Sequence, residues 1–72
     1  MDYVVLENGI EYLIANEINH GNNCYVYLMN ENNSKDFCIR KKILENNHEF
    51  LIGLDDENEF EKALNLFLKK IV

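Results

Sequence analysis

The 72-residue sequence contains no proline, tryptophan, threonine or glutamine, and only two cysteines, three glycines and one serine. No linker is recognisable, so residues 1–72 are expected to form a single domain. No apolar run approaches the roughly 20 residues needed to cross a bilayer, and Asp2 and Glu7 stand where an export signal would be positively charged. We therefore expect a cytoplasmic protein without a membrane partner. Cysteines in that reducing compartment are expected to be free thiols.

Positive charge is also scarce, because seven basic residues face thirteen acidic ones and the net charge is −6. A chain of this charge is repelled on average by a phosphate backbone, so we do not expect nucleic acid as a partner. A basic protein partner, or a surface kept soluble by charge repulsion, fits the composition better.

The residues that usually carry chemistry are few and far apart. Cys24, Cys38, His20 and His48 lack the short spacings of a zinc site, and the register described below places the two cysteines on opposite faces of a sheet. Ser34, the single serine, lies in an asparagine-rich loop with no neighbouring histidine. The sequence therefore predicts no catalytic residues, no metal ligands and no cofactor, and we expect a protein that is not an enzyme.

What the chain does contain is a series of five apolar segments separated by turn signals. These segments are predicted strands at residues 2–7, 10–18, 24–29, 36–44 and 49–54. Asn8-Gly9 is the strongest of the turn signals, since both residues accept the positive φ angles of a two-residue type I′ turn. Successive strands joined by short loops usually pair as neighbours, so an antiparallel meander is expected.

The C-terminal segment has a helical rather than an alternating period. Its apolar stripe consists of Phe60, Ala63, Leu64, Phe67, Leu68 and Ile71. Asp56 and Glu59 have the spacing of a capping box, and the pattern predicts a helix over residues 56–70. The predicted fold class is therefore α+β, a meander of about five strands with one C-terminal helix packed on one face.

Turn lengths give a trial register for the sheet. The predicted pairs are Tyr3 with Ile14, Val4 with Leu13, Val5 with Tyr12, Ala15 with Leu28, Leu28 with Phe37, Val26 with Ile39, and Ile43 with Phe50. Because strand side chains alternate between faces, this register assigns each residue to a face. The expected core face, under the helix, holds Val4, Leu6, Leu13, Ala15, Val26, Leu28, Phe37, Ile39, Ile43, Phe50, Ile52 and Leu54. The opposite face holds Tyr3, Val5, Ile10, Tyr12, Ile14, Tyr25, Tyr27, Met29, Cys38, Arg40 and Leu51.

All four tyrosines fall on this second face, which one helix cannot also cover. Tyrosine, arginine and methionine are enriched at the centres of protein interfaces. The predicted partner-binding residues are Tyr3, Tyr12, Tyr25, Tyr27 and Arg40. Two other readings stay open: a solvated aromatic surface stabilised by cross-strand pairs, or a wrong register that mixes the faces.

Three segments resemble the YrzB-like family, small acidic proteins of unknown function from Firmicute bacteria. They are "GNNCYVYLM" (residues 21–29), "FCIRKKI" (37–43) and "EFLIGLDDENEFEKALNLF" (49–67). The family pattern is a glycine followed by a tyrosine-bearing strand, a strand ending in arginine, a short strand, an acidic turn and a helix. The resemblance implies this fold and a bacterial host, and it brings no catalytic residues.

Two functional hypotheses follow. The first is a cytoplasmic, non-enzymatic module that binds a protein partner, or a second copy of itself, through the tyrosine-rich sheet face. The second is a phage-type acidic inhibitor that mimics nucleic acid and blocks a host nuclease or other nucleic-acid enzyme. Its phosphate surrogates would be Asp55, Asp56, Glu57, Glu59 and Glu61. Salt separates the two, because charge mimicry weakens steeply as ionic strength rises.

Overall fold

The structure is a computed structural model that describes residues 2–71, with side chains described through residue 69. Five strands are followed by one helix, which confirms the predicted α+β class. They are β1 (Tyr3–Val5), β2 (Glu11–His20), β3 (Asn23–Asn30), β4 (Asn33–Glu45), β5 (His48–Gly53) and α1 (Glu57–Ile71). The strands form one antiparallel sheet in the order β1-β2-β3-β4-β5, as expected for a meander.

The sheet has a hydrophobic core on each of its faces. On one face α1 packs over the sheet around the buried residues Tyr25, Ile39, Ala63 and Phe67. On the other face the sheet curls, so that residues from β1 and β5 both pack against the centre of the sheet. The buried residues there are Tyr12, Val26 and Leu28, surrounded by Val4, Leu6, Ile14, Cys38 and Leu51.

The first hairpin differs from its prediction by one residue. The Gly9 N–H donates to the Leu6 carbonyl at 2.9 Å, and the Leu6 N–H donates to the Ile10 carbonyl at 3.1 Å. Gly9 has a φ of 78°, whereas Asn8 is not among the residues with positive φ. This is a three-residue loop with glycine in the left-handed position. As a result Val4 pairs with Tyr12 rather than with Leu13.

Two further irregularities displace the register along β3. A bulge at Ala15 places Leu28 opposite Ile14. At the other side of β3 the pairing shifts between Met29 and Asn30. Leu28 therefore pairs with Cys38, where the prediction had Phe37. Each slip of one residue transfers a strand's side chains to the opposite face.

The predicted faces are consequently wrong for β1 and β3 and right for most of β4 and β5. Four residues that were predicted to lie under the helix are found on the curled face instead: Val4, Leu6, Val26 and Leu28. Five residues that were predicted to lie opposite the helix are found on the helix face instead: Tyr3, Val5, Tyr25, Tyr27 and Met29. The β4–β5 hairpin has its predicted register, with Ile43 opposite Phe50, because Asn46 and Asn47 both take the positive φ of a two-residue turn.

The helix begins where its capping residue predicts. The Asn58 N–H donates to the Asp56 side chain at 2.8 Å, and the Phe60 N–H donates to the Asp56 carbonyl at 2.9 Å. Within the predicted stripe, Ala63 and Phe67 are buried, whereas Leu68 is 52% exposed and lies outside the core. The side chain of Ile71 lies outside the described residues.

Phe67 is predicted to contribute most of the helix's packing energy. Its ring is 1% exposed, so Phe67→Ala should lower the free energy of unfolding by about 3–5 kcal/mol. A domain of this size has only about 5 kcal/mol to lose. The matched control Leu68→Ala should cost about 1 kcal/mol or less. Urea denaturation followed by circular dichroism measures both, and equal losses would contradict this orientation of the helix.

Candidate functional site

The five predicted partner-binding residues do not share a face. Tyr3, Tyr25 and Tyr27 lie on the helix side of the sheet, and Tyr12 and Arg40 lie on the curled side. Tyr12 and Tyr25 are buried, at 3% and 2% exposure. The expectation of one exposed tyrosine face is therefore wrong, and the physical cause is the displaced register.

The buried tyrosine under the helix anchors its hydroxyl to the first turn of α1. The Tyr25 hydroxyl donates to Glu59 Oε2 at 2.8 Å, and Lys41 Nζ lies 2.8 Å from the same oxygen. Burial, followed by the hydrogen bond to Glu59, raises the pKa of Tyr25. Hydrogen bonds from Lys41 and Tyr25 lower the pKa of Glu59. Glu59 was expected to complete a capping box, and it ties the helix to the sheet instead.

The tyrosine of the curled face is anchored in a comparable way. The Tyr12 hydroxyl donates to Asp36 Oδ2 at 2.8 Å and accepts a hydrogen bond from Asn8 Nδ2 at 3.2 Å. Asp36 also accepts from Asn30 Nδ2 at 3.2 Å. Among the described residues, no buried side-chain nitrogen or oxygen lacks a partner. Both buried tyrosines thus have a structural role that phenylalanine could fill only in part.

Arg40 is also engaged within the protein. Its Nη2 atom lies 2.7 Å from Glu7 Oε1, so the guanidinium joins β4 to the loop after β1 across the curled face. The hydrogen bond from Arg40 lowers the pKa of Glu7. This ion pair stabilises the curl of the sheet, because it links elements that are not neighbours in the strand order.

A row of large apolar side chains on the helix face is absent from the core that packs under the described part of α1. We call it the apolar band, and its members are Tyr3, Leu13, Met29 and Phe37. They are directly opposed from strand to strand, one each from β1, β2, β3 and β4. Tyr3 and Phe37 are exposed, and Leu13 and Met29 are half-buried. At about 4.8 Å between strands, the band is roughly 14 Å wide.

The apolar band is supported from its side by the neighbouring row of the same face, and it is bordered by acidic groups. The Tyr27 ring stacks on Phe37 at 5.4 Å and packs against Phe67 at 5.5 Å. Glu11 lies on the same face beside the band, and a hydrogen bond with Glu31 raises the pKa of Tyr3. The band is therefore a firm apolar surface with negative charge along its border.

Two of the predicted site residues thus belong to this region, Tyr3 within the band and Tyr27 beside it on the same face. Leu13 and Phe37 were missed because the trial register placed them in the core. Their sequence neighbourhood contains no signal for exposure, since alternation alone cannot show how far a helix extends over a sheet face.

The curled face contains a cavity of about 460 Å³ with an apolar floor that includes Val26 and Leu51. Three of the charged groups that line it lie close together: Lys42 Nζ is 2.9 Å from Glu17 and 3.9 Å from Glu49. The hydrogen bond from Lys42 lowers the pKa of Glu17. This internal pairing makes the cavity a less available surface than the apolar band.

Both cysteines are free and half-buried. Contrary to expectation they lie on the same face, since Cys24 pairs with Lys42 and Cys38 with Leu28. Four residues of β3 separate them, about 13 Å along the strand, which is too far for a disulfide. Burial raises the pKa of both thiols. Among the described residues, no group of three or more histidine, cysteine or acidic side chains could hold a metal ion.

Comparisons of the chain with protein-family models, with curated proteins and with solved structures found no match. The resemblance to the YrzB-like family stays a prediction. Within the described residues, no helix is long and apolar enough to cross a membrane.

Acid should weaken the attachment of the helix to the sheet. The lowered pKa of Glu59 means that its carboxylate stabilises the fold above the ordinary carboxyl pKa. That stabilisation is lost as the pH falls through the lowered value. Glu59→Gln should therefore melt below the parent at neutral pH, with a difference that shrinks in acid. Thermal melts across the acid range measure this.

Glu61→Gln is the control for the acid prediction, because Glu61 is exposed on the same helix. The melting temperature of Glu61→Gln should change with pH as that of the parent does. A constant difference between Glu59→Gln and the parent at every pH would contradict a role for the Glu59 charge.

Proposed function

We propose that the chain is a cytoplasmic, non-enzymatic module that binds a protein partner through the apolar band. The observation that supports this most directly is the row of four opposed apolar side chains outside the helix, with Tyr3 and Phe37 at 44% and 37% exposure. Exposed apolar patches with a polar border are typical of association sites. Aromatic rings and methionine are the side chains most enriched at interface centres.

The band is also suited to binding because its side chains are already ordered. Phe37 is held against Tyr27, which rests on Phe67 of the helix. Side chains that are fixed before binding lose less conformational entropy on association. The acidic groups Glu11 and Glu31 beside the band, with the net charge of −6, favour a partner that brings a basic border to an apolar centre.

The alternative, an acidic nucleic-acid mimic, has less support from the positions of its proposed phosphate surrogates. Asp56 caps the helix, and Glu59 is bound to Tyr25 and Lys41. Two of the five acidic residues are thus engaged in holding the fold, and a phosphate-like series would need all of them directed outward. Salt still separates the hypotheses: binding through the band should survive about 0.5 M salt, at which charge mimicry is largely screened.

Substitution within the band provides the test. The double variant Tyr3→Ser, Phe37→Ser removes its two exposed rings, and interface aromatics of this kind each contribute about 2 kcal/mol. We expect a partner captured by the parent protein from a bacterial lysate to bind the variant at least about thirtyfold more weakly. Titration of that purified partner against parent and variant measures the change.

The matched control is Leu44→Ser, Leu68→Ser, because both leucines are more than half exposed and lie outside the band. This control should retain the parent's affinity, and thermal melts should show that both double variants remain folded. Equal binding by the band variant and the control would contradict the proposal.

A further inference from the structure

Among the described residues, 2–71, no strand lies beside the outer edge of β5. β5 pairs with β4 alone, and all its residues except the half-buried Leu51 are exposed. Its sequence, HEFLIG, contains neither proline nor lysine, the residues that commonly protect an edge strand from pairing with another chain. Within residues 2–71 no backbone hydrogen bond reaches this edge from another element.

The hairpin geometry determines which backbone groups face outward. Glu45 and His48 flank the two-residue turn and exchange backbone hydrogen bonds. Bonded and non-bonded pairs alternate along an antiparallel ladder, so Phe50 and Ile52 bond to β4. The N–H and C=O groups of the intervening residues point away from the sheet. These are Glu49, Leu51 and Gly53.

We propose that a second copy of this chain pairs with β5, antiparallel and about a two-fold axis at Leu51. Leu51 then lies opposite the second copy's Leu51, and Glu49 lies opposite the second copy's Gly53. This register engages all three outward-facing residues of each chain, with about six hydrogen bonds, two for each pair. If the axis passed through Phe50 or Ile52 instead, one of the three outward-facing residues would have no residue of the second copy's β5 opposite it.

The side chains in this register complement one another on both faces. On the helix side Phe50 lies opposite the second copy's Ile52, which brings together two exposed apolar residues, at 48% and 38% exposure. On the curled side Gly53 has no side chain, and Arg40 Nη1 lies 3.5 Å from where its Cβ would be. The second copy's Glu49 therefore arrives beside a guanidinium.

These charges are free to make that contact. Glu49 has a long contact of 3.9 Å with Lys42, and its side chain is 67% exposed. Arg40 bonds Glu7 through Nη2, and a guanidinium has five N–H donors, so it can bind a second carboxylate. The same pair forms twice across the two-fold axis, which is the self-complementarity an isologous dimer needs.

The pairing closes at two chains. The two-fold pairing uses β5 of both copies, so neither copy keeps an open β5 edge for a third chain. The charge of −6 on each chain adds repulsion against larger assemblies.

Sedimentation equilibrium tests the assembly, with Ile52→Lys as the disrupting variant. Lysine at position 52 would face the second copy's Phe50 and place two like charges close together across the axis. We expect the parent to sediment as a dimer and Ile52→Lys as a monomer, with a dimer dissociation constant at least about tenfold higher. The control Val5→Lys introduces the same charge at an exposed aliphatic residue of β1, away from β5, and it should remain dimeric.

The register has a test of its own. In a mixture of labelled and unlabelled chains, an inter-chain Hα–Hα nuclear Overhauser effect should join Phe50 to Ile52. Within one chain these residues are two positions apart on a strand, about 7 Å, so the signal reports only the pairing between chains. The amides of Glu49, Leu51 and Gly53 should also gain protection from exchange as the protein concentration rises.

Glu49→Pro covers the case in which Ile52→Lys fails to fold. It removes one outward N–H and leaves the Phe50 and Ile52 side chains in place, and it should also give a monomer. Three results would each overturn the proposal. The first two are a parent that is monomeric at roughly 1 mM, and a folded Glu49→Pro or Ile52→Lys variant that remains as dimeric as the parent. A parent dimer that lacks the Phe50–Ile52 signal would overturn the register and with it the interface.

Discussion

The organisation of this protein depends on one constraint: its sheet has two apolar faces, and the one helix can cover only one of them. α1 covers the face around Tyr25 and Ile39. The opposite face, with Val26 and Leu28 at its centre, would be left in water if the sheet were flat. The sheet curls instead, and its own margins cover that face. The ion pair between Arg40 and Glu7 joins elements that a flat sheet would hold well apart.

Each of the two cores contains a tyrosine where phenylalanine would be the simpler choice. Tyr25 is placed so that its hydroxyl reaches the edge of the core and meets Glu59 on the helix. The Tyr12 hydroxyl likewise reaches the edge of its core and donates to Asp36 on β4. A buried ring supplies apolar area, and its hydroxyl adds a hydrogen bond with a defined direction. In a domain too small to bury a large core, such bonds help to fix how the elements pack.

The sequence predicts those parts of the fold that depend on local signals. The helix and its cap at Asp56 follow from residues within one turn of each other. The register of β4 and β5 follows from Asn46-Asn47, whose positive φ angles define a two-residue turn. The same reasoning fails at Asn8-Gly9, because that dipeptide is compatible with either a two-residue or a three-residue loop.

The candidate site could not be predicted because it depends on several such choices at once. The loop at Gly9, the bulge at Ala15 and the irregularity after Met29 each displace a strand by about one position. Each displacement reverses the faces of that strand, and none has a distinctive local sequence. The segregation of tyrosine from phenylalanine, which indicated a binding face, was a product of the trial register. The prediction of an exposed aromatic surface applies to Tyr3 alone among the four tyrosines.

The position of the apolar band follows from the same constraint as the rest of the fold. The N-terminus of α1 is held at Tyr25 and Lys41 by Glu59. Farther along the helix Phe67 packs against Tyr27, while Tyr3 and Phe37 in the next row of the same face remain exposed. Exposed rings favour non-specific association, which a net charge of −6 opposes by repelling other acidic proteins. In such a protein the rings supply affinity, and the surrounding charge restricts which partners can approach them.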